Sequence, residues 1–223
     1  MKGCNRASSP VWGLFICAAL AVLYVCRLHA DNIGGLFGVF WDDEGAYLLS
    51  AKNQVLFGAA HFFKGDRWQP ELLSPLLHAW ALLLITSADT VFGIRLAAAL
   101  HALAGALLMA WIACKHFRSR EAAVACFAII LLNPVLFFYA HIGLAESFQF
   151  LLFAAVLAIL FHLLQATTRE TLWLAGIGGA LAGALLVSKV SAAPACAGLA
   201  LGAILCLRQN SVIRQKRLAA LLF

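Results

Sequence analysis

Apolar runs of membrane-span length recur from one end of this chain to the other, and that repetition constrains the fold more than any motif. They occupy residues 11–28, 90–114, 122–139, 147–164, 172–187 and 192–207. A bilayer core about 30 Å thick takes roughly 20 apolar residues of helix, because backbone groups in hydrocarbon must bond within their own segment. The chain is 64% hydrophobic and 12% charged, against about 25% charged in a soluble domain. Its mean hydropathy is +0.92. The expected fold class is all-α: a polytopic transmembrane helical bundle, with residues 1–223 as one domain. The last two runs are short for a span and are expected to form a tight hairpin with extended ends. The first run follows Lys2 and Arg6. It reads as an uncleaved span, being long for a signal peptide and followed by more spans. The apolar run that starts at Leu218 is cut short at Phe223, so a further span of a longer protein is expected there.

Residues 72–86, with Pro75, His78 and Trp80, are ambiguous between a span and a surface segment. Charge decides between the two. If they do not cross and the N-terminus is cytoplasmic, ten of the sixteen Lys and Arg face the cytoplasm and six face out. If they cross, the split becomes four against twelve. Basic residues concentrate on the cytoplasmic side of membrane proteins, which favours the first topology. Residues 29–89 therefore read as one long extracytoplasmic loop carrying juxtamembrane helices. Residues 44–57 suit an amphipathic helix lying in the interface, with Asp42 or Asp43 before it and Glu44 in its first turn as cap and dipole partners.

The net charge of +6 sits mostly in short inter-span loops and does not point to nucleic acid. The seven cysteines show no C-x-x-C and no metal spacing, and most lie in apolar runs, which makes them packing residues. The glycines of residues 176–183 follow no strand, which excludes a nucleotide loop. The G-x-x-x-G pairs Gly179/Gly183 and Gly198/Gly202 are expected to let helices approach closely.

Chemistry is expected in the outer loops. Asp42, Asp43 and Glu44 are consecutive and flanked by Phe40, Trp41 and Tyr47. At headgroup depth, partial burial raises a carboxylate toward the range of a useful base. Glu146 and His141 lie in the next outer loop and could converge with them. Lys189 ends an apolar run; it either snorkels to the interface or faces a lipid phosphate. Arg95 opens its span and could pair with Asp89 or hold a phosphate through its planar fork.

The order and spacing of these segments resemble the GT-C glycosyltransferases. More narrowly, they resemble the integral-membrane family of protein O-mannosyltransferases and the lipid A aminoarabinose transferase. Asp43-Glu44-Gly45-Ala46-Tyr47 looks like the family's first-loop Asp-Glu-x-x-Tyr motif. Residues 68–80 resemble its proline-bearing juxtamembrane helix, and Phe92-Gly93-Ile94-Arg95-Leu96 its next span start. Glu146 falls where the family has a second-loop acid, usually Asp. Ser188-Lys189 resembles its threonine–lysine pair. Asp42 shifts the acidic motif by one residue, and Leu72-Leu73 stand where some members carry a lysine.

The resemblance implies a polyprenyl-phosphate-linked sugar as donor, and a lipid, glycan or protein acceptor. It implies inverting displacement on the outward face of a membrane, such as a bacterial inner membrane. Asp43 would be the base, with Asp42 and Glu44 beside it. Lys189 and Arg95 would hold the phosphate. Such enzymes often need no metal, and no metal-ligand set is assigned; a divalent cation, Mg²⁺ or Mn²⁺, is used by some distant members. The competing readings are a transporter subunit, which would place ionisable groups mid-span, and a non-enzymatic membrane scaffold.

Overall fold

The computed structural model describes residues 10–26, 51, 53, 56, 57, 80, 90–141, 145–163, 168–188 and 192–209. Every regular element among them is helical: α1 (Pro10–Cys26), α2 (Thr90–Phe117), α3 (Arg120–Leu131), α4 (Pro134–His141), α5 (Ala145–Leu163), α6 (Thr168–Ser188) and α7 (Ala193–Gln209). Arg95–Phe117 of α2 and Ala145–Leu163 of α5 are long and apolar enough to cross a membrane. α3 and α4 are apolar enough together but bent by 62°, so they make a third such segment only if the bent pair counts as one span, and otherwise a re-entrant one. α1, α6 and α7 carry shorter apolar stretches, Trp12–Leu23, Trp173–Ser188 and Ala193–Gly202. Thus two to three of the six expected spans are met by length and composition.

The run at 122–139, expected to be one span, is two helices. Pro134 has no N–H and disfavours helical backbone in the residue before it. Asn133 turns this break into a new start. Its Oδ1 accepts from the N–H of Val135 (3.0 Å) and of Leu136 (3.1 Å). Pro134 occupies the first helical position, where an N–H has no partner to lose. The carbonyls ending α3 are met by Leu132 N–H on Ala128 (2.9 Å) and Asn133 N–H on Ile130 (3.2 Å). Asn133→Ala is expected to lower stability by about 1 kcal/mol, the usual value of such a cap. Thermal unfolding in detergent would show it, and an unchanged midpoint would contradict the capping role.

α2 is the hub. Its Ala99, Ala102, Ala106 and Ala110 share one face and pack with Phe127, Leu131 and Ala140 of α3 and α4. Alanine lets backbones come close where dispersion rather than hydrophobicity must hold helices together. A face about 100° away meets α5: His101 lies against Phe148 with ring centroids 4.9 Å apart. A Cβ on Gly105 would stand 2.6 Å from Phe150. Farther along, Trp111 meets Phe161 (6.0 Å) and His162 (5.0 Å). Residue numbers rise together on both helices, so α2 and α5 run parallel.

α6 runs antiparallel to α5, with Gly178 against Ile159 at one level and Leu185 with Leu152 at another. Ala192 and Cys196, at the start of α7, join that second cluster. α1 runs parallel to α3: Gly13 faces Val124, and Cys17 and Leu20 pack on the cluster holding Phe127 and Leu131. The two-residue link Arg118-Ser119 makes α2 and α3 antiparallel, so α1 and α2 are antiparallel too. The chain therefore leaves α1 and enters α2 at the same end of the bundle.

The G-x-x-x-G expectation is corrected. Among the described residues, a Cβ on Gly179, Gly183, Gly198 or Gly202 would meet nothing within 4 Å. Gly178, one residue and about 100° of helix away from Gly179, is the glycine that faces α5, with Ile159 at 3.1 Å. The described cysteines Cys17, Cys114, Cys126 and Cys196 are free. Cys17 and Cys196 pack against the apolar clusters, as expected of small core residues.

Candidate functional site

The end of the bundle where α2 and α5 begin gathers the polar side chains that the helices bury. Arg95 lies on the same helical face as the alanine stripe, one turn before Ala99, and is 8% exposed. His141 closes α4, directly after Ala140 of the same cluster, and is 4% exposed. Glu146 is the second residue of α5 and is partly buried, while the next residue, Ser147, is fully buried.

Helical rise sets the relative levels of Arg95 and Glu146. His101 and Phe148 are in contact. Arg95 lies six residues before His101, about 9 Å along the axis, and Glu146 two residues before Phe148, about 3 Å. Arg95 and Glu146 are therefore about 6 Å apart along the bundle axis. α6 returns to the same end. Its final residue, Ser188, is buried and donates its hydroxyl to the carbonyl of Leu185 at 2.7 Å. That bond satisfies a carbonyl left open at the helix terminus.

The orientation of His141 is fixed locally. Nδ1 lies 2.6 Å from the carbonyl oxygen of Phe137, and the ring stacks on Phe137 with centroids 4.1 Å apart. A carbonyl can only accept, so Nδ1 carries the hydrogen. The neutral ring then presents Nε2 as its basic atom. A buried guanidinium, a carboxyl and an imidazole with an assigned tautomer thus stand at one end of three packed helices. Such a set can bind an anion and orient a hydroxyl.

Of the residues singled out from the sequence, the structure brings Arg95, His141 and Glu146 to one end of the bundle. Asp42, Asp43, Glu44 and Lys189 lie outside the described residues, as does most of the 29–89 loop. Within that loop Ala51 and Trp80 are helical and fully buried, and Leu56 and Phe57 are helical and exposed. Among the described residues no group of three or more His, Cys, Asp or Glu could hold a metal ion.

Sequence reasoning passed over Ser147 and gave Ser188 no role of its own, although both are buried at this end. The Asn133-Pro134 dipeptide was a readable signal for the break beneath His141. No protein-family model matches the chain, and neither does any curated protein or solved structure.

Proposed function

We propose that this chain is a polytopic membrane glycosyltransferase of the GT-C type. It would transfer a sugar from a polyprenyl-phosphate donor to an acceptor hydroxyl on the extracytoplasmic face. The observation that carries the reading is the gathering of Arg95, His141 and Glu146 at the end where α1 releases the 29–89 segment and α2 receives it. The acidic triplet Asp42-Asp43-Glu44 belongs to that same segment. A donor of this kind keeps its tail in lipid and its sugar in water, so its reactive phosphate sits at the depth of a helix end.

In this mechanism the acceptor oxygen attacks the anomeric carbon while Asp43 takes its proton. The bond from that carbon to the phosphate oxygen breaks, and the electron pair leaves with the lipid phosphate. Configuration inverts. Asp42 and Glu44 flank the base. Arg95, and Lys189 after the α6 end, balance the charge that develops on the leaving phosphate. Glu146 and His141 orient the sugar or the acceptor. A divalent cation, if carried, would draw on the carboxylates and would supply charge neutralisation at the phosphate.

Arg95→Gln tests this assignment. Removing a buried charged donor to a phosphate is expected to lower donor turnover on the order of tenfold to a hundredfold. Arg95→Lys keeps the charge but lacks the planar fork, and should recover part of it. Sugar release from a labelled donor in membranes, normalised to folded protein, is the readout. Wild-type turnover in both variants would remove Arg95 from the site.

A further inference from the structure

The opposite end of α2 carries a second feature, unrelated to the candidate site. Within seven residues the chain reads Lys115-His116-Phe117-Arg118-Ser119-Arg120-Glu121, with three fixed positive charges and one carboxylate. Lys115, His116, Arg118 and Arg120 are all exposed. Aromatic rings adjoin this stretch on α2 and α5, and His116 is the residue that touches them. Trp111 packs against Phe161 at 6.0 Å and against His162 at 5.0 Å, and His116 reaches Phe161 at 6.5 Å.

Two of the cations occupy positions that local physics disfavours. Arg118 has φ of 53°, in the left-handed region at the end of α2. Glycine is the usual residue there, and asparagine the common substitute. Arg120 is the first residue of α3, where the helix dipole repels a cation. The turn is otherwise well built: Ser119 Oγ accepts from Ala122 N–H (3.1 Å) and donates to Glu121 (2.7 Å). The two arginines thus stand against local preference in a turn that uncharged residues would suit better.

Depth supplies the partner. Lys115 lies twenty residues after Arg95, about 30 Å along the helix, which is the thickness of a hydrocarbon core. A bilayer crossed by α2 would therefore hold these basic residues at headgroup level, with Trp111 and Phe161 in the belt where aromatic rings collect. We propose that the α2–α3 turn, with the end of α5, is a binding site for the headgroup of an anionic phospholipid. Arg118 and Arg120 would grip the phosphate through their planar forks, Lys115 would add charge, and Trp111 and Phe161 would pack against the upper acyl chain.

The test is lipid retention by the purified full chain in neutral detergent. Phosphatidylglycerol and phosphatidylcholine are offered in mixed micelles at low salt, and bound lipid is counted by native mass spectrometry. Wild type should retain phosphatidylglycerol over phosphatidylcholine. Each basic residue removed should cut that preference roughly fivefold, and salt should weaken it. Arg118→Gly and Arg118→Asn both fit the left-handed backbone, so thermal unfolding should stay at or above the wild-type midpoint while the preference falls. Equal retention of the two lipids by wild type would overturn the proposal. So would an unchanged preference in both Arg118 variants and in Arg120→Gln.

Discussion

Gly105→Val is expected to separate α2 from α5 and to be the most damaging single helix substitution considered for this fold. A Cβ there would stand 2.6 and 2.7 Å from Phe150 ring carbons and 3.3 Å from the Cα of Leu151. The ring can swing aside, but the backbone of a packed helix cannot. Overpacking of this kind costs about 1–3 kcal/mol, and a branched side chain against backbone belongs at the upper end. The two helices also carry Arg95 and Glu146, so their separation would disperse the candidate site. Gly183→Val is the control, because nothing among the described residues lies within 4 Å of its added carbon. It should change stability by no more than about 0.5 kcal/mol. Thermal unfolding in detergent distinguishes them, and equal midpoints would contradict the parallel packing of α2 on α5.

Asp43→Asn should lower sugar transfer by about 10²–10⁴, the range associated with a positioned general base. The amide keeps the shape of the side chain and removes the proton acceptor. Retention of the donor should hardly change, since the proposed mechanism assigns the phosphate to Arg95 and Lys189 rather than to Asp43. Asp42→Asn should stay near wild type, which distinguishes the assigned base from its neighbour. Equal activity of the two variants would overturn the assignment of Asp43. Activity lost only in Asp42→Asn would move the role by one residue.

Helix positions were largely legible because hydropathy alone marks them. The run at 90–114 became Thr90–Phe117, that at 147–164 became Ala145–Leu163, and that at 172–187 became Thr168–Ser188. Which side of each helix meets protein was not legible. A helix that is apolar all round carries no stripe that points to its partner. Hence Gly179 and Gly183 were read as contact residues, whereas Gly178, Gly105 and the alanines of α2 make the close approaches. The break at Asn133-Pro134 was hidden by the hydropathy around it, although the dipeptide itself announces a cap and a first helical residue.

The candidate site was legible in part. Arg95, Glu146 and His141 were chosen as ionisable residues next to apolar runs, and packing brings them to one end through the parallel α2–α5 pair. The alternation of the runs already puts the starts of α2 and α5 at one end; that these two helices are direct neighbours depends on which faces they use, and no motif encoded that. The buried hydroxyls of Ser147 and Ser188 are common residues at unremarkable spacing. Only their burial distinguishes them.

The measurement that bears most directly on the glycosyltransferase reading is sugar release from labelled polyprenyl-phosphate donors by membranes containing the folded full-length chain. A panel of hexose and pentose donors would be run with wild type and Asp43→Asn side by side. The account predicts release from at least one donor by wild type, with inverted configuration in the product and loss of release in Asp43→Asn. Folded wild-type protein that turns over no donor across the panel, or release that is indifferent to Asp43, would contradict it.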